Sequence, residues 1–316
     1  MSPDLFDILF KFDFWGSLLL GYPLNIILII LIIFKTPKEM ETHSRILIQN
    51  CVLDILMLTN VMFAQMFYLL DDNGNSYYIF TGGIFFEFMK NNFIKFIYLS
   101  FISIGGFFYI INLYGLCAQF VFRYLVLNRN MKINFKHYLM YMFSTVLIVS
   151  LLHNLISIRY VQQYIEGGIK QAYKEYFNKT VPFVIMKLEQ GLPSLITTLF
   201  VLISYLIIFV CGFKMVSYVK SHTGYDQNMK RLLKQLTKTL IILVIIPFIN
   251  QLLPILIVFS TLNKTNDSVK DNYINPIYIF LAMFTHFTPV FNPIVCIITN
   301  KPYKEAVFNR LQIHPQ

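Results

Sequence analysis

Charge is scarce in this sequence. Only 13% of the 316 residues are Asp, Glu, Lys or Arg, where an average soluble domain carries about 25%. Tryptophan is limited to Trp15, and cysteine to Cys51, Cys117, Cys211 and Cys296. Each cysteine falls inside a long apolar run, which excludes a disulfide framework or a cysteine-held metal cluster as the organising device. Catalytic signatures are absent too. There is no Walker loop, no G-x-S-x-G, no H-E-x-x-H and no carboxylate pair within an apolar run, and the histidines are scattered. No enzyme activity, metal or cofactor is expected.

Apolar residues are abundant instead, with 56% hydrophobic and 17% aromatic, too much for one soluble core. They are gathered into runs at 14–34, 46–70, 96–127, 138–158, 192–218, 239–262 and 273–298, whose only charges are Asp54, Arg123 and Lys214. A bilayer core takes about 20 apolar residues per helix. The chain therefore reads as an all-α membrane protein, a single bundle of seven transmembrane helices over residues 1–316. Asp4, Asp7 and Asp13 precede the first run, with only Lys11 opposing, and no small-residue cleavage site follows. That run is expected to be a true span and not a removable signal peptide.

Lysine and arginine concentrate on cytoplasmic loops. With the N-terminus outside and the C-terminus inside, segments 35–45, 123–137, 214–238 and 300–316 face inward and hold 16 of the 26 Lys/Arg. The balance is +12 inside against −1 outside. The basic character is thus a matter of topology, and no nucleic-acid partner is expected. The N-x-[ST] sequons at Asn178, Asn263 and Asn266 all fall on the outer side, which makes them candidate glycosylation sites.

The longest connections are the outer ones, 71–95 and 159–191, and the second is expected to fold over a pocket as a lid. Inside, Met229, Leu232, Leu233 and Leu236 recur at helical spacing, which predicts that the fifth and sixth helices extend beyond the membrane. After Lys301-Pro302, residues 302–312 predict a short amphipathic helix on the inner membrane surface.

Polar residues inside a membrane are costly and usually face the bundle. Asp54 lies in the inner half of the second span, and Asn25 and Asn292 are expected at its level. Two readings stand: a knot that fixes helix packing, or a switch whose hydration or ion occupancy changes with conformation. Pro247, Pro254, Pro289 and Pro293 each remove a backbone donor, giving either static shape or hinges. Nearer the outside, Gly105, Gly106 and Tyr109 form a notch beside a phenol. Ser150, His153 or Asn154, and Ser157 share a face of the fourth span. Thr197, Thr198, Asn250, Gln251, Thr285 and His286 complete the candidate lining of a small-molecule pocket, with Tyr109 and His286 preferred. Arg123 closes the third span, where its stem can pack while its guanidinium snorkels to the interface.

These features together resemble a family. Seven spans, FRYLVL (Phe122 to Leu127), KTPKEMETHSRILIQNCVLDIL (Lys35 to Leu56), KRLLKQLTKTLIILVIIPF (Lys230 to Phe248) and PVFNPIVCIITNKPYKEAV (Pro289 to Val307) are similar to the rhodopsin-like G-protein-coupled receptors. Within that class the chain looks like a nematode serpentine chemoreceptor of the Str group, Srd-like. The resemblance implies a multi-pass plasma-membrane receptor, of a sensory cilium, with a small-molecule ligand, a heterotrimeric G protein and lipid as partners. It further implies that Arg123 and Tyr124 engage the G protein, that Asn25 and Asp54 form the polar pair of spans one and two, and that Asn292-Pro293 is the hinge of span seven. This chain departs from the pattern where Phe122 replaces the acidic clamp of the arginine and Cys296 stands where a tyrosine is usual. The outer disulfide cysteines and the tryptophan of span six are missing too. Two other classes are weighed. A seven-helix ligand-gated cation channel of the insect odorant-receptor type would place the N-terminus inside, against the charge balance. A small transporter should show paired intramembrane charges or symmetric broken helices, and Asp54 is the one acidic residue within the seven runs.

Overall fold

A backbone in lipid must satisfy its hydrogen bonds internally, and a helix does so within its own segment. The apolar runs accordingly lie in helices of the computed structural model, which describes residues 3–36, 41–70, 76–92, 94–129, 131, 135–161, 165–170, 181–186, 192–221, 227–262 and 274–311. In chain order these are α1 (Pro3–Lys35), α2 (Glu41–Phe63), the short α3 (Phe86–Asn91) and α4 (Lys95–Asn128). After α5 (Phe135–His137) and a π-helical stretch, Tyr138–Phe143, come α6 (Ser144–Val161), α7 (Leu192–Ser221), α8 (Gln227–Leu262), α9 (Ile274–Thr299) and α10 (Lys301–Leu311). Among the described residues, six stretches have the length and composition to cross a membrane: Leu5–Lys35, Ser44–Phe63, Lys95–Asn128, Phe135–Ile156, Thr198–Val219 and Asn275–Thr299. The seventh long helix, α8, carries the apolar stretch Thr237–Leu253, and its 36 residues are roughly 54 Å long at 1.5 Å per residue.

Helix α4 is central, packed against α2, α6, α7 and α8, while α1 packs against α2 and α9. The main core joins Leu28 and Ile32 of α1, Leu47 of α2, Ile111, Leu116 and Phe120 of α4, Ile208 and Met215 of α7, and Leu240 and Leu243 of α8. Outward-facing Leu19, Phe34, Phe96, Leu206 and Phe213 are more than half exposed, as lipid-facing side chains are. Lipid offers no hydrophobic reward for helix association, so close approach matters more. At Gly21 a Cβ would lie 2.6 Å from Leu58, which marks the tight crossing of α1 and α2.

The expectation of an unbroken second span to residue 70 is corrected. Helix α2 stops at Phe63, and β1 (Gln65–Leu70) begins one residue later. It pairs antiparallel with β2 (Ser76–Gly82), and β3 (Ile165–Lys170) and β4 (Val181–Met186) complete an antiparallel sheet ordered β1-β2-β4-β3. The local reason is aromatic content and period-two alternation: Phe67 and Leu69 are fully buried while Met66 and Tyr68 are half-buried. One face of the sheet packs Phe67, Leu69, Tyr77, Ile79 and Phe183 onto Phe6 and Phe10 of α1 and Ile279 of α9. That contact explains a second difference. Helix α1 starts at Pro3, well before the apolar run at 14, because its first three turns have the sheet to bury against.

The other end of the bundle is tied by Tyr303 of α10, fully buried, whose hydroxyl bonds Thr36 at 2.9 Å and Ser44 at 3.2 Å. The sheet and α10 thus mark opposite ends.

Gly83, which leads from β2 to α3, has φ +108°, and an added Cβ would lie 2.5 Å from the Phe63 carbonyl oxygen. Gly83→Ala is expected to destabilise the purified protein by at least about 1–2 kcal/mol, read as a lower melting temperature. Gly115 of α4 has nothing within 4 Å of its virtual Cβ. Gly115→Ala should therefore stabilise by about 0.5–1 kcal/mol through helix propensity alone.

Candidate functional site

A cavity of about 300 Å³ opens at the sheet end of the bundle, at the low end of the usual range for small-molecule sites. Its wall is built from α2, α4, α8 and α9 with β1 and β2. Gly105 and Gly106 of α4 form one side, and a Cβ at Gly105 would collide with Met66. Met66, Tyr68 and Tyr78 come from the strands, Asn60 from α2, Asn250 from α8, and Tyr278, Thr285 and His286 from α9. Burial raises the Tyr78 hydroxyl above the ordinary tyrosine range, so it remains a neutral phenol. Of the second outer connection, expected as a lid, β3 and β4 join the sheet whose strands β1 and β2 line the cavity, and 162–164, 171–180 and 187–191 lie outside the described residues.

Of the anticipated lining residues, Gly105, Gly106, Tyr109, Asn250, Thr285 and His286 meet at this cavity. Gln251 does not line it; its Oε1 accepts the Tyr205 hydroxyl at 3.0 Å, tying α8 to α7. His153 is also elsewhere, its Nδ1 2.7 Å from the Tyr114 hydroxyl at the α4–α6 contact. Thr197 lies in α7, with its side chain outside the described set, and Asn178, Asn263 and Asn266 lie outside the described residues. The strand residues Tyr68 and Tyr78 were missed. Their signal was the alternation after residue 65 and the Asn73-Gly74 pair, a tight-turn signature.

His286 brings in an unexpected partner. Asp13, expected outside the first span, is fully buried on α1, with its Oδ2 2.6 Å from His286 Nδ1. Gln65 Nε2 donates to the same oxygen at 2.7 Å and to the Phe10 carbonyl at 3.0 Å, while Thr81 donates to Gln65 Oε1 at 2.9 Å. An ionised carboxylate only accepts, and toward it the imidazole presents Nδ1–H. One carboxylate therefore joins α1, β1 and α9 beside the cavity. Asp54 is not the only acidic side chain buried in a long helix.

Deeper in the bundle, Asn292 Nδ2 reaches both Asp54 carboxylate oxygens at 2.9 and 3.1 Å. A void of about 10 Å³ lies between Asp54, Asn292, Asn50, Asn112 and Gly115, near the volume that holds one water. Asn25 does not join this group. Its Nδ2 donates to the Pro289 carbonyl at 2.7 Å and to Gly21 at 2.9 Å. The reason is Pro293: without an N–H it cannot serve the carbonyl four residues before it, and Asn25 does so from α1. The same device recurs in α8, where Pro254 leaves the Asn250 carbonyl free and the Tyr109 hydroxyl donates to it at 3.2 Å. Pro247 is buried within α8, which continues as a helix through it.

At the α10 end, Arg123 is only 6% exposed. That corrects the snorkelling reading, because the side chain is enclosed by the bundle. Phe122 packs with Ile46 and Tyr138, its ring 5.2 Å from that of Tyr138. Tyr124 is half-buried, and the Lys214 ammonium sits 5.7 Å over its ring.

Residues 11–309 match the family model described as serpentine type 7TM GPCR chemoreceptor Srd. No curated protein matches the chain.

Removing one partner of a buried pair costs roughly 3–5 kcal/mol. Asp13→Ala and His286→Ala should each lower the melting temperature of the detergent-solubilised protein, and the double variant should lose less than their sum. Strict additivity in that cycle means the two side chains do not interact.

Proposed function

The chain belongs to the serpentine type 7TM GPCR chemoreceptor family Srd, and on that premise we propose that it is a ligand-activated receptor coupled to a heterotrimeric G protein. It is a multi-pass plasma-membrane protein of the chemoreceptor class. In the proposed orientation the sheet, the N-terminus and the cavity face outward, and α10 and the basic segments face the cytoplasm, in line with the charge balance of +12 against −1.

The observation that carries this reading is the placement of the cavity at one end and of Arg123 at the other, with α9 running between. From the cavity, α9 contributes Thr285 and His286; further along, Pro289 meets Asn25 and Asn292 meets Asp54. Beyond the helix end, Tyr303 closes onto Thr36 and Ser44. A small molecule in the cavity acts on α8 at Asn250, between Pro247 and Pro254, and on α9 above Pro289, and the inner helix ends move to admit the G protein at Arg123 and Tyr124. The Asp13–His286 pair does not revive the transporter reading, since it lies beside the cavity with no counterpart pair among the described residues of the second half, and the family match favours a receptor.

An epitope at the N-terminus should stain unpermeabilised cells; staining only after permeabilisation would reverse the orientation. With surface level read by that epitope, cells expressing the chain are screened with a small-molecule panel and a G-protein activation readout. Arg123→Ala should cut activation on the order of tenfold or more, as for a buried interface arginine, at similar surface level. Wild-type signalling by Arg123→Ala would remove the coupling role.

A further inference from the structure

Two buried polar groups on the cavity wall have no hydrogen-bond partner among the described residues. The Asn250 side chain on α8 is 6% exposed and its Oδ1 is unpaired; the Tyr278 hydroxyl on α9 is unpaired in a residue 3% exposed. Buried polar atoms are rarely left so, since each loses its water without replacement. The backbone carbonyl of Asn250 is occupied by Tyr109, while its side-chain Oδ1 is not. On the same wall, His286 commits Nδ1 to Asp13, which leaves Nε2 as the ring nitrogen open to a guest.

The lining also says what the guest is not. Among the described residues it contains no Asp, Glu, Lys or Arg, so against this wall a charged molecule would be stripped of water without a counter-ion. Asp13 is not part of the wall, and its Oδ2 is already shared by Gln65 and His286. Most of the remaining surface is apolar, from Met57, Val61, Ala64, Ile102, Phe108 and Leu281. A ketone or ether oxygen only accepts, which serves Tyr278 and leaves Asn250 Oδ1 unmet. A hydroxyl donates once and accepts twice, so it can give its proton to Asn250 Oδ1 or His286 Nε2 while accepting from Tyr278.

We infer that the cavity takes an uncharged, largely apolar alcohol or phenol, held through its hydroxyl by Asn250 and Tyr278. This deepens, and rests on, the reading of the cavity as the ligand site.

The test is thermal melting of the purified full chain in lipid nanodiscs, since a ligand that binds only the folded form raises the melting temperature with concentration. The probes are matched sets on two skeletons: borneol, camphor and bornane, then 2-nonanol, 2-nonanone and nonane. On at least one skeleton, the alcohol should act at concentrations at least tenfold below its ketone, with the hydrocarbon weakest. In Asn250→Leu and Tyr278→Phe that preference should collapse to within about threefold, a loss of roughly one hydrogen bond's discrimination. Ketone or hydrocarbon equal to alcohol on both skeletons overturns the inference. So does the absence of any shift up to the solubility limit, or an alcohol preference that survives in both variants. Melting reads occupancy and not signalling. A chain that prefers alcohols yet activates no G protein in the ligand screen sinks the receptor proposal and leaves this inference standing.

Discussion

A carbonyl in the middle of a membrane needs a donor, and proline takes one away. Among the described residues, two such carbonyls are capped from another helix. Pro293 frees the carbonyl of Pro289 and Pro254 frees that of Asn250, and each is served by a side chain of another helix, Asn25 from α1 and Tyr109 from α4. Each unsatisfied backbone group in hydrocarbon costs several kcal/mol, so these two hydrogen bonds fix how α9 sits on α1 and α8 on α4. Both caps can also be lost and regained. A proline position whose spare carbonyl is held from outside its own helix is a place where the helix can change direction when the cap leaves.

One cap is also a wall of the cavity. Tyr109 lines the space beneath β1 and β2 and reaches across to α8, beside the unpaired Asn250 Oδ1. The sheet above is held by Asp13, whose carboxylate takes Gln65 of β1 and His286 of α9. The cavity is therefore bounded by the groups that set the positions of α8 and α9, and a guest there competes with contacts that define the bundle. In the proposed receptor this is the physical link between ligand and G protein: α9 carries it from His286 through Asn292 and Asp54 toward the end where Arg123 is enclosed.

The helices were legible because a bilayer imposes a one-dimensional rule, a long run of apolar residues, that needs no knowledge of neighbours. The sheet was not, since Gln65–Leu70 continues the uncharged run of α2 without a break and only its alternation differs. Asp13 was hidden for a different reason. It stands near Asp7 and Lys11, as a solvated flank would, and its burial comes from Gln65 and His286, which are remote in the chain. Part of the cavity could be found from glycine and polar residues on helix faces, as Gly105, Gly106, Tyr109, Asn250, Thr285 and His286 were. Gln251 and His153 had the same local credentials and face other helices. Asn25 was placed at the right depth with the wrong partner, because depth follows from counting residues and partners follow from helix rotation.

The most direct measurement of the link between cavity wall and helix position is the distance between spin labels at Arg129 and Lys238, both exposed near the α10 end of α4 and α8, in the wild type and in Tyr109→Phe. Removing the hydroxyl uncaps the Asn250 carbonyl and leaves the ring. A second, longer distance should then appear or grow for α8 relative to α4. Identical distance distributions in the two proteins would contradict the account, leaving Tyr109 as a wall residue with no hold on the helix.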